Sequence, residues 1–169
     1  MNRKIRLNDM LIEKLHYAYY HEIENQLIYS RIASWLDRHG LYKLSKYYDE
    51  WSTEERNHSE WVKDFLQSIG IELPNSFNIN VENLEFKDIY SFVDMTVERE
   101  EETTDIYNEI YRLANADANG LCMEFVMNTM LKEQIEETDK SGTLYDQIHN
   151  LRDMTDLQKF DKGYPESYY

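Results

Sequence analysis

Apolar residues recur every three or four positions along four long segments of this 169-residue chain. That spacing is typical of helices that bury one face. The segments run from about Asn8 to His39, from Leu41 to Ile69, from Glu85 to Asn115, and from the end of the NADANG stretch to near Gly142. Prolines number two and glycines five, which also favours long helices over a many-stranded sheet. The sequence therefore predicts an all-α fold, with residues 1–169 in a single domain.

The lengths of the connections predict how these helices are arranged. The first and second segments are almost contiguous, as are the third and fourth, which predicts two antiparallel helical hairpins. Residues 70–85 lie between the hairpins and can extend to roughly 55 Å, more than the second helix at about 43 Å. This pattern indicates a four-helix bundle, about residues 8–142, with one long crossover between helices two and three. We expect a short fifth helix at about 143–155 and a loosely packed tail at 156–169.

Charge and cysteine content limit the function classes. The formal net charge is -15, which argues against binding to nucleic acid or to an anionic membrane surface. Cys122 is the single cysteine, so an internal disulfide is excluded and a reducing compartment is favoured. The N-terminus lacks the apolar stretch of a signal peptide, and no apolar run approaches about 18 residues. We therefore expect a cytoplasmic protein without nucleic-acid or membrane partners.

The recurring apolar residues of each segment form a stripe along one face of the predicted helix. Polar side chains that commonly bind metals interrupt all four of these apolar stripes. They are Glu22, Glu55, His58, Glu100, Gln134 and Glu137. Helices of similar length packed side by side bring their midpoints to one level, where the three glutamates of the first three helices lie. The stripes contain no lysine or arginine, and burying an uncompensated carboxylate costs several kcal/mol in a domain that is stable by about 5–15 kcal/mol.

Two interpretations of these interruptions follow. In the first, the helical registers are off by one residue and each glutamate reaches solvent. In the second, cations lie among the carboxylates, and an oxygen-rich site with one imidazole suits iron, manganese or zinc. Because the interruptions coincide at similar height in four stripes, the second interpretation is favoured, and two cations sharing carboxylates are expected.

Four stretches of the chain contain these polar positions together with their apolar neighbours: HEIENQLIYSRIASWL, STEERNHSEWVKDFL, VEREEETTDIYNEIYRLA and FVMNTMLKEQIEET. In these stretches the chain resembles the ferritins, and most closely the non-haem bacterial ferritins. The resemblance covers about residues 8–150 and implies the ferritin-like bundle with a short C-terminal fifth helix. It also implies that Glu22, Glu55 and His58 hold one iron, that Glu100 and Glu137 hold a second, and that Glu55 bridges the two.

The resemblance assigns roles to further residues around this centre. Gln134 matches a glutamine beside the two irons, and Tyr29 matches a tyrosine that takes part in the reaction there. A third iron site on the inner side of the shell is implied at Glu54, Glu133 and Glu136.

Differences between this sequence and the motifs of related families restrict the kind of iron protein that the resemblance implies. The fourth segment reads KEQIEET and lacks the second E-x-x-H motif of rubrerythrin-like proteins and bacterioferritins. Arg56 stands where bacterioferritins carry a haem-binding methionine, so no haem is expected. Thr129 stands where bacterial ferritins often carry an aromatic residue, which argues against an electron-donating side chain at that position.

The function implied by the resemblance is that of an iron-storage ferroxidase. Such a protein oxidises Fe²⁺ with O₂ or H₂O₂ and deposits ferric mineral inside a hollow homo-oligomeric shell, of 24 subunits in this family. One alternative is a non-storage di-iron redox enzyme, such as a rubrerythrin-like peroxidase or an oxygenase. Another is a non-catalytic assembly or binding protein that kept the fold.

Overall fold

Four helical rods form the molecule, a computed structural model that describes residues 7–74, 76, 78–79 and 87–164. The helices are α1 Asp9–Arg38, α2 Tyr42–Ser68, α3 Ile89–Ala116, α4 Gly120–Phe125, a π-helical turn Val126–Met130, α5 Leu131–His149 and α6 Met154–Gly163. Because α4, the π-helical turn and α5 follow one another without a break, they make the fourth rod. Helix α1 packs along α2 and contacts α3, and α3 packs along α5. The predicted bundle, with a short C-terminal helix beside it, is confirmed.

The two hairpin-forming helices α1 and α2 are joined by a Schellman turn. Gly40 adopts a positive φ of 75° and donates its N–H to Asp37 O, and Leu41 donates to Leu36 O at 3.0 Å. Leu36 and Leu41 are both buried, which supplies the apolar contact that accompanies this motif. The turn reverses the chain within three residues and makes α1 and α2 antiparallel.

Helix α3 ends in the same motif without a glycine. Ala118 takes a φ of 52°, its N–H donates to Asn115 O, and Asn119 N donates to Ala114 O at 2.8 Å. A non-glycine residue in this conformation is strained because its Cβ crowds the neighbouring carbonyl. The side chain of Asn119 then accepts from Cys122 N and starts α4.

The predicted bounds of the C-terminal region were wrong. The fourth rod continues through Gly142 to His149, because Leu144 and Ile148 extend its buried face. The short helix is therefore Met154–Gly163 rather than 143–155, and it lies in the region predicted as a loose tail. A glycine inside a helix costs only about 1 kcal/mol, less than burying these two side chains contributes.

A buried carboxylate attaches α6 to the bundle. Asp161 Oδ1 accepts from Lys43 N at 3.1 Å and from Leu44 N at 2.9 Å. These N–H groups belong to the first turn of α2, whose own N-cap residue, Leu41, makes no side-chain capping bond. Asp161 thus caps a helix that is distant in the sequence, and its charge is favourable at a helix N-terminus.

The π-helical turn shifts the buried face of the fourth rod. Spacing of three and four residues predicts Met123 and Met127 as buried, but Cys122 and Val126 occupy those places and Met127 is exposed. A π turn contains more residues per turn than an α-helix, so the register before it changes by about one residue. After the π-helical turn, the buried positions are those predicted, and they include the polar residues Gln134 and Glu137.

The bundle has two apolar clusters, one towards each end, and a band of buried polar residues between them. Helix α3 begins at Ile89, since Asp88 caps it and exchanges hydrogen bonds with Ser91 in a capping box. The predicted start of this helix, Glu85, lies outside the described residues. Within the described ranges, no helix combines the length and the apolar character that a membrane crossing requires.

Candidate metal centre

Four glutamates and one histidine meet in the polar band, one or two from each rod. Glu22, Glu55 and His58 form one group, and Glu55, Glu100 and Glu137 form another. Within each group, one potential ligand atom per residue lies within 4.8 Å of the others. All five residues are at most 3% exposed, and Glu55 belongs to both groups. The interpretation in which these glutamates reach solvent is therefore wrong, and the arrangement has the form of two adjacent cation sites with a shared carboxylate.

Two tyrosines connect the glutamates of α1 and α3 crosswise. Tyr29 follows Glu22 by two helical turns on α1, and its hydroxyl donates to Glu100 Oε1 at 2.5 Å. Tyr107 follows Glu100 by two turns on α3, and its hydroxyl donates to Glu22 Oε1. Antiparallel packing of α1 against α3 makes this reciprocal arrangement possible, and it holds one oxygen of each carboxylate in place.

Burial and mutual repulsion raise the carboxylate pKa values. The pKa of Glu100 rises to about 7 and that of Glu137 to about 8, with burial as the largest cause in both. Burial, followed by repulsion from Glu55, raises the pKa of Glu22 well above its usual value, and Glu55 is raised by burial and by Glu100 and Glu137. The metal-free protein therefore keeps protons on this cluster near neutral pH.

Several oxygens of the cluster remain available to a ligand. Glu22 Oε2, Glu55 Oε1 and Glu137 Oε2 are buried and have no hydrogen-bond partner among the described residues. Buried polar atoms usually have a partner, so atoms that lack one indicate a missing ligand. Carboxylate oxygens with a single imidazole fit a first-row transition metal such as iron.

Gln134 lies in the same polar band, where it contacts Glu100. Its Nε2 donates to the carboxylate Oε2 and to the backbone oxygen of Glu100, both at 3.2 Å. Together with Tyr29, Gln134 gives each oxygen of the Glu100 carboxylate a donor. The position beside the centre agrees with the prediction, and the contact indicates that Gln134 orients Glu100.

The two ring nitrogens of His58 face different carboxylates. Nδ1 lies 3.2 Å from Glu55 Oε2, and Nε2 lies 4.0 Å from Glu133 Oε1. His58, Glu133 and Glu137 make a third group of potential ligands. At 4.0 Å the contact with Glu133 is too long for a hydrogen bond, so Glu133 lies beside the ring without bonding to it directly.

No group of potential ligands among the described residues contains all three residues implied for a third iron site. Glu133 joins His58 and Glu137, but neither Glu54 nor Glu136 belongs to a ligand group among the described residues. Glu136 is exposed, and Glu54 pairs with the ammonium of Lys140.

Lys140 is a functional neighbour that the sequence reasoning missed. The stripes themselves contain no lysine, but Lys140 lies one turn after Glu137, and its Nζ is 3.5 Å from Glu137 Oε1. Its long side chain bends towards the cluster from the edge of the buried face. The spacing of three residues from Glu137 was the available signal, because residues three apart on a helix are neighbours.

A second cation that helical spacing did not indicate, Arg99 of α3, contacts polar residues of α1 close to Glu22 in the sequence. Arg99 Nε donates to Asn25 Oδ1 at 2.6 Å, and an Nη donates to His21 Nδ1 at 3.0 Å. His21 Nε2 then donates to Thr103 Oγ1 at 2.7 Å, which assigns the proton of the neutral ring. Burial, with a contribution from Arg99, lowers the pKa of His21 to about 3. His21 is thus held in a hydrogen-bond network between Arg99 and Thr103, beside Glu22 in the sequence.

Comparison with known proteins places the chain in a family. The family model of the ferritin-like domain, Ferritin, matches residues 12–151. Two structures of an open pore ferritin from the hyperthermophilic archaeon Archaeoglobus fulgidus are similar, each with 20% identity. One has a TM-score of 0.86 over 93% of this chain and 96% of that chain, and the other 0.85 over 92% and 94%.

A third similar structure is a closed form of the Archaeoglobus fulgidus ferritin, engineered by site-directed mutagenesis. It has a TM-score of 0.84, 20% identity, and coverage of 93% of this chain and 95% of that chain. No match was found among curated proteins. With its bundle, its central carboxylates and a family match over most of its length, the chain belongs to the ferritin family.

Proposed function

We propose that this protein is an iron-storage ferroxidase. It binds two Fe²⁺ ions between its helices and oxidises them to Fe³⁺, which is then deposited as ferric mineral. The observation that carries the proposal is the pair of buried ligand groups that share Glu55. In this assignment Glu22, Glu55 and His58 bind one ion, and Glu55, Glu100 and Glu137 bind the other.

The donor set suits oxidation of ferrous iron, which is the substrate. Hard carboxylate oxygens stabilise Fe³⁺ more than Fe²⁺, so they make loss of an electron more favourable. Two adjacent ions supply two electrons together: 2 Fe²⁺ + O₂ + 2 H⁺ gives 2 Fe³⁺ + H₂O₂. With peroxide as oxidant, 2 Fe²⁺ + H₂O₂ + 2 H⁺ gives 2 Fe³⁺ + 2 H₂O. The raised pKa values of the cluster mean that the glutamates release protons when the ions bind.

Residues around the ligands position them and exclude water. Tyr29 and Gln134 hold the Glu100 carboxylate from two sides. Tyr29 also packs against the buried ring of Trp51, with 5.1 Å between ring centroids. Tyr29 is placed to take part in the redox step, since its hydroxyl contacts the proposed ligand Glu100 directly, as the hydroxyl of Tyr107 contacts Glu22.

Storage requires a compartment that a single bundle lacks. We infer assembly into a hollow shell, of 24 subunits by analogy with the family, with the acidic chain supplying sites for ferric mineral. The fold similarity to an open pore ferritin supports this assembly. A shell of 20.5 kDa subunits and a dimer differ greatly in mass, so the mass of the purified protein separates storage from a dimeric rubrerythrin-like enzyme.

The ferroxidase proposal is tested by oxygen consumption on addition of Fe²⁺ to iron-free protein. Wild type is expected to consume O₂ rapidly, and Glu55→Gln to lose the fast phase, because it removes the shared ligand. Glu60→Gln is the matched control on the same helix, since Glu60 pairs with Lys63 at the surface. Wild-type protein that oxidises Fe²⁺ with neither O₂ nor H₂O₂ would rule out the ferroxidase function.

A further inference from the structure

Lys140 lies between carboxylates of two different helices. Its ammonium pairs with Glu54 of α2 and lies 3.5 Å from Glu137 Oε1 of α5. The same nitrogen is 4.6 Å from the ring centroid of Trp51, a cation–π distance. The Lys140 side chain is only 11% exposed. Exposed ion pairs are loosely held, but this ammonium is held on three sides at the edge of the candidate metal centre.

We propose that Lys140 is a built-in cation that takes the place of a third iron beside Glu54 and so limits the centre to two irons per subunit. The proposal rests on the proposed function, because it concerns the number of irons that the centre binds. A metal ion bound by Glu54 and Glu137 would need the space and the carboxylate oxygens that the ammonium now occupies. Ammonium and metal ion also repel each other, so one excludes the other.

The charge of Lys140 reaches the whole cluster. It lowers the pKa values of Glu137, Glu55 and Glu100, each against the larger effect of burial. The ammonium therefore supplies part of the positive charge that an additional metal ion would bring.

The other two carboxylates implied for a third site are those of Glu133 and Glu136, and their contacts agree with this inference. Glu133 Oε1 lies 4.0 Å from His58 Nε2. Glu136 is exposed and belongs to no ligand group among the described residues. Glu54 pairs with the ammonium, and freeing it would create a new ligand next to Glu137.

The test counts metal ions rather than turnover. Iron-free assembled protein is titrated anaerobically with Fe²⁺, and tightly bound metal per subunit is measured by equilibrium dialysis. We expect two ions in wild type and three in Lys140→Met, whose side chain keeps the packing on Trp51 without the charge. Lys140→Arg, which keeps a cation, and Lys63→Met, which removes a surface lysine paired with Glu60, are controls expected to bind two.

Specific outcomes overturn the inference. Three ions in wild type, or two in Lys140→Met, would show that the lysine does not set the number. Adding Glu54→Gln to Lys140→Met should return the count from three to two. If Lys140→Met fails to fold, Glu54→Gln alone remains decisive, because a loss of one ion in that variant would make Glu54 a ligand in wild type. No binding in wild type would instead overturn the proposed function, and this inference with it.

Discussion

The hydroxyl of Tyr107 on α3 donates a hydrogen bond to Glu22 Oε1 on α1, and this contact is the counterpart of the bond from Tyr29 to Glu100. Each tyrosine lies two turns after the glutamate of its own helix. Each hydroxyl therefore binds one oxygen of the glutamate on the opposite helix. It does not bind the other oxygen of that carboxylate. The two tyrosine contacts are therefore equivalent, whereas Gln134 gives the second oxygen of Glu100 a donor that Glu22 Oε2 lacks among the described residues.

Tyr107→Phe should weaken the first iron site while leaving the fold intact. A hydrogen bond to a charged group contributes about 1.5–3 kcal/mol, so roughly a tenfold or greater loss of affinity is expected at that site. Anaerobic binding of Fe²⁺ measures the effect, with Tyr29→Phe as the partner variant acting on Glu100. Tyr111→Phe, on the same helix and away from these ligands, is the control. Unchanged affinity in Tyr107→Phe would show that Glu22 needs no such support.

Metal binding should release protons, and more of them at lower pH. Glu100 and Glu137 have pKa values of about 7 and about 8, so both are largely protonated at pH 6 and largely ionised at pH 9. Anaerobic addition of Fe²⁺ should therefore release more protons at pH 6 than at pH 9, as measured by pH-stat titration. Glu55→Gln, which is expected to bind poorly, provides the baseline. Equal release at both pH values would contradict the raised pKa values.

The stability of the metal-free protein should fall as pH rises. Because the folded-state pKa values exceed the usual glutamate value, the folded chain binds more protons than the unfolded chain between about pH 4.5 and 8. The free energy of unfolding contributed by these groups is therefore highest at the acid end of that window and decreases through the folded-state pKa values. Thermal unfolding at several pH values tests this, and Glu137→Gln should show a shallower decrease than wild type.

Asp161→Ala should loosen the attachment of α6. It removes the acceptor for Lys43 N and Leu44 N, and loss of a helix cap costs about 0.5–2 kcal/mol. The expected result is a lower Tm and faster proteolysis of the C-terminal segment, while the metal centre keeps its ions. Asp161→Asn, which retains an acceptor oxygen, should lose less. Identical proteolysis of the two variants and wild type would show that this contact does not hold α6.

Ala118→Gly should stabilise the protein, although it removes a side chain. Ala118 has a φ of 52°, which glycine adopts without strain. Relief of that strain outweighs the extra freedom of glycine in the unfolded chain, leaving a gain of about 0.5–1 kcal/mol. Ala116→Gly changes the last helical residue of α3 and should lower the free energy of unfolding instead. Calorimetric Tm values of the two variants distinguish them.

The sequence by itself determined the helical character of the chain and the positions of its buried polar residues. Spacing of three and four residues puts Glu22, Glu55 and Glu100 on the same face as leucines and valines, and these residues are buried as that pattern requires. Short connections required antiparallel hairpins, since two long helices joined by three residues have no other way to pack. That these residues bind iron stays a prediction, supported by the family and by the geometry of the cluster.

Only the tertiary structure decided which polar atoms meet. Lys140 lies outside the stripe and reaches Glu54 through a long side chain, and helical spacing cannot show where such a side chain ends. The π-helical turn shifts the buried face before Met130, and Gly142 stays helical because Leu144 and Ile148 are buried beyond it. Periodicity shows which face of a single helix is buried. Contacts between helices depend on the distance and rotation of one rod relative to another, and the packing of all four rods determines both.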